Sequence, residues 1–446
     1  MSKIIAIPIE TLVRELDSKL LLSAFLLKHN IDVLIGPRGS IFVELKYLKN
    51  ASLLYKSISV DQKNIMKSVV DNGGRNFILD EEANNFSKNQ DNIIKSIFPK
   101  EMLGFIDLFF LSGSKIRDLV KKNRPEIPLP KLVVSGNPRF DFFKKPYVNF
   151  YKEDKDKITS KYKKTILFNL NFSMGNPYRG WDNQIKYLTN HPDFNKSFID
   201  DIKKKMTWQK NNMRIYIDSI IKVAKTFKEY SIIVRPHPSE NDKYYESFFS
   251  DHGNIFINNS GNVLPWILAS TISIHYDCTT GIETILSGKS SISFTCNKDE
   301  SLVNWLSPFV CDEVSTTSQL ISKLEEHLLS RNNWSLNKHK SKILNSYINN
   351  YSNDSLNIIS KKIADEIPQV KTLYFNRFYR FFERMKKYLG KIRRVYFIKD
   401  EYTHHFKSLK KEEIVLKLNK LKNILDLKFD FEVISHGLDT YLLKKK

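Results

Sequence analysis

A chain of 446 residues with 41 % hydrophobic residues has length for two or three domains and enough apolar content to exclude disorder as its main state. Fifteen Gly and fifteen Pro exclude collagen-like or linker-dominated architectures, and Cys278, Cys296 and Cys311 are too few and too widely spaced for a disulfide scaffold or a CxxC zinc site. With 71 Lys+Arg against 49 Asp+Glu the formal charge is +22, which favours a polyanionic partner: nucleic acid, an anionic bilayer face or an acidic substrate.

The opening MSKIIAIPIETLVRELDSK meets Arg14, Glu15 and Asp17 before any small-residue cleavage site, so it does not read as a signal peptide. No run approaches the roughly 20 apolar residues of a membrane span, and a reducing cytoplasm fits the cysteine usage. Short β-rich runs then alternate with amphipathic segments, the pattern of parallel sheets with helices on both faces. Strands are predicted over 4–9, 32–35, 52–55, 76–79, 108–111 and 132–135, with helical periodicity over 16–28 and 114–122. These form an N-terminal Rossmann-like domain, residues 1–155.

The charged stretch YKEDKDKITSKYKK, residues 151–164, reads as a solvated linker or surface helix and marks a boundary. Strands are then predicted over 165–169, 231–234, 255–258, 272–275 and 290–294, with helices including 213–228 and 281–286. They form a second Rossmann-like domain, residues 156–368. The expected fold class is therefore α/β, two doubly wound domains facing a cleft. From residue 371 the character changes: residues 371–446 hold 20 Lys+Arg against 9 Asp+Glu, and aromatic and basic residues interleave in RFYRFFERMKKYLGKIRRVYFIK. Residues 369–446 are expected to form a basic, aromatic, helical C-terminal region.

Two segments carry chemistry. In SIIVRPHPSEN, residues 231–241, a strand ends in Arg235-Pro-His237-Pro238, and ligands of open α/β sheets bind beyond the carboxyl ends of strands. Arg235 offers a phosphate a forked donor and His237 a hydrogen bond. In SIHYDCTTGIETILSGKSSISF, residues 273–294, a strand gives way to Asp277-Cys-Thr279-Thr280-Gly281 and a helix. Hydroxyls and amides there suit an anion, and Glu283 suits vicinal ribose hydroxyls. Ordinary N-capping by Thr280 with a first-turn Glu283 is the simpler alternative. An acceptor hydroxyl needs a base, and Asp80-Glu81-Glu82 follows the fourth predicted strand. A second acidic set, Glu10, Glu15 and Asp17 with Arg14, follows the first; helix N-terminal charge is its alternative reading. Gly36-Pro-Arg38-Gly39, after the second predicted strand, could touch substrate but reads first as a turn.

The RPHP and Thr-Thr-Gly segments, in this order and about 40 residues apart, resemble the nucleotide-binding domain of GT-B glycosyltransferases. More narrowly they are similar to HP-motif bacterial surface-polysaccharide transferases, the group that includes CMP-sialic acid and CMP-Kdo transferases. SGNPRFD, residues 135–141, resembles the interdomain GNPR-type segment of capsule, teichoic-acid and epimerase relatives. The N-terminal IPIETLVRELDSKLLLSAFL, ILDEEA at 78–83 and FNLNFSMGN at 168–176 resemble surface carbohydrate biosynthesis proteins.

The resemblance implies a donor site of Arg235, His237, Pro238, Asp277, Thr279, Thr280, Gly281 and Glu283, with His237 at the phosphate and Glu283 at the ribose. It implies further substrate contacts at Arg14, Asn137, Arg139 and Asn171. Catalytic carboxylates are then sought among Glu82, Glu81, Glu10 and Asp17; Glu82 matches the second acid of an acidic-acidic-Gly motif in which Ala83 here replaces the glycine. The implied reaction moves Kdo or a nonulosonic acid from a CMP-sugar donor to a glycan or lipid-linked glycan, with no metal and no further cofactor. A DxD pair occurs only as Asp154 and Asp156, in the charged stretch. A CDP-alditol phosphotransferase or a UDP-sugar epimerase shares such segments.

The C-terminal region permits three partners. Phe375, Phe378, Tyr379, Phe381 and Phe382 among basic residues can stack bases, as in a nucleic-acid-binding protein. The same aromatics can dock on the first domain. An amphipathic helix rich in Arg377, Arg380, Arg384, Lys386, Lys387, Lys391, Arg393 and Arg394 also suits an anionic membrane surface. The membrane is preferred, with the chain peripheral at the inner membrane.

Overall fold

Strands of three to seven residues, mostly apolar and buried on both faces, can pair side by side only if helices cover both sides of the sheet. The computed structural model describes residues 3–81, 90–190, 196–299, 302–329, 335–351, 354–369, 377–393 and 408–446. These form two units: described residues up to 150 with those from 342 onward, and residues 151–341.

In the first unit β1 (Lys3–Ile9), β2 (Ile31–Pro37), β3 (Ser52–Tyr55), β4 (Asn76–Leu79), β5 (Leu108–Leu111) and β6 (Leu132–Val134) run parallel in the order β2-β1-β3-β4-β5-β6. In the second, β7 (Thr165–Asn169), β8 (Ser231–Arg235), β9 (Ile255–Ile257), β10 (Ile272–His275), β11 (Ser291–Phe294) and β12 (Asp312–Val314) run parallel in the order β9-β8-β7-β10-β11-β12. Each sheet reverses its winding once, between β1 and β3 and between β7 and β10. A crevice opens beyond the carboxyl ends at such a switch point, so the topology alone nominates two places for ligands.

The second unit's core is aromatic: Phe168, Phe172, Tyr216, Tyr276 and Phe294 are buried, with Phe172 stacked on Tyr276 at 4.1 Å between centroids. Tyr216 comes from the helix Lys196–Thr226, which begins well before the predicted 213–228. The charged stretch at 151–164 is the helix Lys152–Tyr162, exposed except at half-buried Ile158 and buried Tyr162, which packs on Trp266 and Phe256 of the second unit. That apolar anchor places the boundary at 150/151 rather than 155/156.

The chain returns to the first unit from residue 342, earlier than the predicted end of the second domain at 368. The helices Ser355–Glu366 and Lys411–Leu425 pack on the helix Leu12–Lys28, which is buried on nearly every side between them and the sheet. The described part of 369–446 is not a separate helical region. It ends in β13 (Phe431–Gly437) and β14 (Thr440–Lys445), a hairpin whose β14 pairs antiparallel with β2, Leu443 opposite Val33. The hairpin covers the open edge of β2, which otherwise leaves backbone groups unpaired. Its close approach explains Gly36, where a Cβ would lie 2.9 Å from the Asp439 carbonyl oxygen.

Candidate active site

At the second unit's switch point, β7 ends at Asn169, β8 at Arg235 and β10 at His275, all at one rim. The turns after them are tied together. The Asn171 side chain donates to the Asp277 carbonyl at 2.8 Å, and the Asp277 carboxyl accepts the Asn304 N–H at 2.7 Å. Asp277 adopts a left-handed φ of 42°, a conformation costly for a residue with a Cβ, and burial pushes its carboxyl up to about 7. Glu240, fully buried, accepts the backbone N–H groups of Phe172 and His237, each at 2.9 Å, and the Tyr245 hydroxyl. One carboxyl thus fixes the turns after both β7 and β8. Burial pushes it up to about 7 against the pull of its three donors.

His237 is half-buried beside Pro238, and its Nδ1 accepts the Ser239 N–H at 3.1 Å. A neutral imidazole so held carries its proton on Nε2, which makes it a hydrogen-bond donor of defined tautomer. Arg235 departs from expectation. Its guanidinium is buried, donates to the carbonyls of Asn258, Ser260 and Gly261 at 2.8, 3.1 and 3.0 Å, and stacks 5.0 Å from the Trp266 ring centroid. It holds the loop after β9 and has its fork occupied by main chain instead of phosphate.

The Thr-Thr-Gly turn also differs in detail. Thr279, not Thr280, is at the N-cap of Thr280–Leu286, has helical backbone angles and makes no capping bond, so the capping half of the simpler alternative does not hold, while Glu283 does fall in the first helical turn. Thr280 is buried, its Oγ1 without a hydrogen-bond partner among the described residues. Glu283 is 2 % exposed and so lies inside the protein rather than on an open crevice wall. Gly281 is required by sterics: a Cβ would sit 2.3 Å from His275 Nε2 and 2.5 Å from Ser307 Oγ. His275 is buried and held neutral, burial pulling it down to about 3. Gly281→Ala, which ordinarily stabilises a helix by about 1 kcal/mol, is expected here to destabilise by roughly 1–3 kcal/mol through overpacking. Urea unfolding reads the sign.

In the first unit, β1 is followed by Glu10, β2 by Arg38, β3 by Lys56 and β4 by Asp80 and Glu81, again at one rim. Glu10 accepts from the Tyr55 hydroxyl and from Arg38 at 3.1 Å, and pairs with Lys56 at 2.9 Å. Burial alone raises its pKa, but Lys56, Tyr55 and Arg38 outweigh it and hold the carboxyl below the usual range. Glu15 accepts the N–H groups of Glu10 and Thr11 and pairs with Lys19 at 2.5 Å and Lys56 at 3.2 Å. These cations outweigh its burial and bring it down to about 2. Glu81 is the opposite case. It lines a crevice with Lys19, Tyr55, Lys56 and Pro138, and burial pushes its carboxyl above the ordinary range despite Lys19. Carboxylates driven apart in this way suit different roles, and Glu81 is the one moved toward the pH range of a working base.

Several predicted site residues have structural partners instead. Asp17 is buried and pairs with Lys417 at 2.6 Å, fastening the helix Lys411–Leu425 to Leu12–Lys28. Asn137 is buried, caps Pro138–Asp141 through Arg139 N–H at 2.9 Å and donates to the Asp80 carbonyl at 3.2 Å. Its own main chain is clasped by Asn350 from both sides, at 2.9 and 2.8 Å. The GNPR segment thus supports the β4 turn from behind. Arg139 is half-buried, 6.0 Å from the Phe140 ring, and Arg14 is half-buried. Glu82, Ala83, Phe375 and Arg394 lie outside the described residues. The sequence reading passed over Glu240, Tyr55, Lys56 and Lys19. A Lys directly after a buried strand, and a Glu three residues past the RPHP histidine, were the available signals.

The chain is thus an α/β protein of two doubly wound, Rossmann-like units, each with polar side chains gathered at its switch point. No family model matches it, and no curated protein sequence matches it. Among solved structures it is similar to a UDP-GlcNAc 2-epimerase from Methanocaldococcus jannaschii, with 13 % identity and a TM-score of 0.49 over 81 % of this chain and 99 % of that one. It is also similar to a glycosyltransferase from Rickettsia africae ESF-5, at 11 % identity and a TM-score of 0.44 over 82 % and 98 %. A wall teichoic acid polymerase, TagF, matches at 12 % identity and a TM-score of 0.48 over 82 % and 88 %.

Proposed function

We propose that the chain is a glycosyltransferase that moves an acidic sugar, Kdo or a nonulosonic acid, from a CMP-activated donor to a surface-glycan acceptor, the second unit holding the donor and the first the acceptor. The observation that supports this best is the RPHP turn: His237, its tautomer set by Ser239 and its main chain by Glu240, stands as an Nε2–H donor at the carboxyl end of β8. As the bond from the anomeric carbon to the phosphate oxygen breaks, charge grows on that oxygen, and a fixed donor there stabilises the leaving CMP. Glu81 takes the proton of the attacking acceptor hydroxyl as the new glycosidic bond forms. Arg235 acts from behind, by holding the β9 loop. The donor is the substrate, and the reading invokes no metal or further cofactor.

The test is nucleotide release and binding with a panel of CMP-, CDP- and UDP-sugars. A CMP-sugar should be the one turned over, and His237→Ala should lower transfer about 10²-fold with the fold intact. Near-wild-type transfer by His237→Ala overturns the reading. Turnover of a CDP-alditol alone identifies a phosphotransferase, and acceptor-free isomerisation of a UDP-sugar an epimerase.

A further inference from the structure

The helix Arg377–Arg393, RFYRFFERMKKYLGKIR, carries seven Lys and Arg against one Glu. Sequence alone leaves open which side meets the protein. In the structure the basic side does. Arg380 donates through Nε and NH2 to Glu44 Oε2 at 3.0 and 2.6 Å, and Arg384 lies 3.7 Å from Glu44 Oε1 and donates to the His436 carbonyl. Glu44 is only 2 % exposed, so this contact is built into the first unit. Lys387 reaches over Gly39, where a Cβ would lie 2.0 Å from its Nζ, and Glu383 meets Lys46 at 3.5 Å.

Fixing that face turns the other one outward. Phe378, Phe381, Phe382, Met385, Tyr388 and Leu389 recur at helical spacing and are 69, 59, 48, 41, 52 and 59 % exposed. Docking of the helix through its aromatics, one expectation from the sequence, is thereby reversed: the arginines dock and the aromatics face solvent. A contiguous apolar row on a soluble surface marks an interaction site.

We infer that this face inserts into the interfacial region of an anionic bilayer. Charge selects the bilayer over a second copy of the chain. The helix is strongly cationic, Lys386 is exposed beside the apolar row, and the whole chain carries +22, so two copies meeting here would bring like charges together. Anionic lipid matches both the charge and the aromatic row, since Phe, Tyr and Leu settle at the headgroup boundary while Lys reaches phosphates. Among the described residues no helix is long and apolar enough to cross a membrane, so the contact is that of a helix lying in the surface. The arginine clasp on Glu44 holds the row outward before lipid arrives, which reduces the ordering cost of binding.

The experiment is co-sedimentation of the full chain with phosphatidylcholine vesicles, with and without phosphatidylglycerol, at low and high salt. The comparison variant carries Phe378→Ser, Phe381→Ser, Phe382→Ser and Tyr388→Ser, all exposed positions, with circular dichroism to confirm folding. The full chain should prefer anionic vesicles and keep part of its binding at high salt, because aromatic insertion is not screened. The variant should lose about tenfold or more of that binding. Independently, Phe381→Trp should gain fluorescence quenching by brominated acyl chains relative to the parent. Equal vesicle binding by parent and variant, or no gain in quenching, overturns the proposal. Self-association that the variant abolishes, without vesicle binding, overturns it in favour of a second copy. Salt-sensitive binding to RNA but not to vesicles overturns it in favour of nucleic acid.

Discussion

Glu81→Gln is expected to keep the fold and the donor affinity while lowering transfer by about 10²–10⁴-fold, the range a positioned general base contributes. Of the described carboxylates at the first unit's rim, Glu10 and Glu15 are held ionised by Lys56, Lys19 and Arg38 and have little basicity to offer. Glu81 is raised by burial and so has basicity to spare. The amide of the variant cannot accept a proton, and its shape is nearly unchanged. The pH profile gives a second readout: a base must be deprotonated, so a raised pKa moves the acidic limb of the rate upward in pH, toward neutrality. Calorimetric donor binding beside steady-state transfer separates the two effects. Full turnover by Glu81→Gln would remove it as the base.

Glu240 should respond very differently to two substitutions. Glu240→Ala removes the acceptor of two buried backbone N–H groups and of the Tyr245 hydroxyl. The expected cost is roughly 3 kcal/mol or more, with transfer down by about 10²-fold, because His237 loses its fixed main chain. Glu240→Gln should be mild at neutral pH, since its carbonyl oxygen can accept both N–H groups while its amide donates to Tyr245. The pH dependence follows from the direction of the shift. A carboxyl raised from 4.5 to about 7 on folding contributes stability that is complete below pH 4.5 and lost as pH rises through about 7. The stability of wild type relative to Glu240→Gln should therefore fall across that window, by at most about 3 kcal/mol, and level off above it. Urea unfolding of both proteins at a series of pH values reads this directly, and a difference independent of pH would show that folding does not raise the Glu240 pKa.

The strand-and-helix alternation was legible because a buried parallel strand has to be a short apolar run. Every predicted strand from 4–9 to 290–294 appears within a residue or two at each end. The strand-end rule likewise placed Glu10, Glu81, His237 and Asp277 at rims, because the carboxyl end of a strand is a property of the local chain. The sequence did not disclose the closing hairpin. Its turn uses Leu438 and Asp439 at φ of 56° instead of a second glycine, and its partner β2 lies some 400 residues earlier. The strand β12 was passed over as well, because two of its three residues, Asp312 and Glu313, are acidic and leave no apolar run to read.

What a polar residue does at a rim was decided elsewhere. Arg235 and His237 are two residues apart in one motif, yet one binds the carbonyls of a loop after β9 and the other is held by the Ser239 N–H on its Nδ1. Asp17 and Glu15 are two residues apart on one helix, yet one meets Lys417 from the chain's far end and the other caps its own helix. The arginines and aromatics of Arg377–Arg393 were equally visible, and contacts with Glu44, Lys46 and the His436 carbonyl determine which face turns inward. Local sequence therefore determined the elements, the sheet class and the rims, since propensity and hydrophobic period act over a few residues. Tertiary structure decided the roles. A charge's worth as base, donor or fastener depends on the burial and opposite charges around it, and those come from other segments of the chain, as near as Asn258 is to Arg235 and as far as Lys417 is from Asp17.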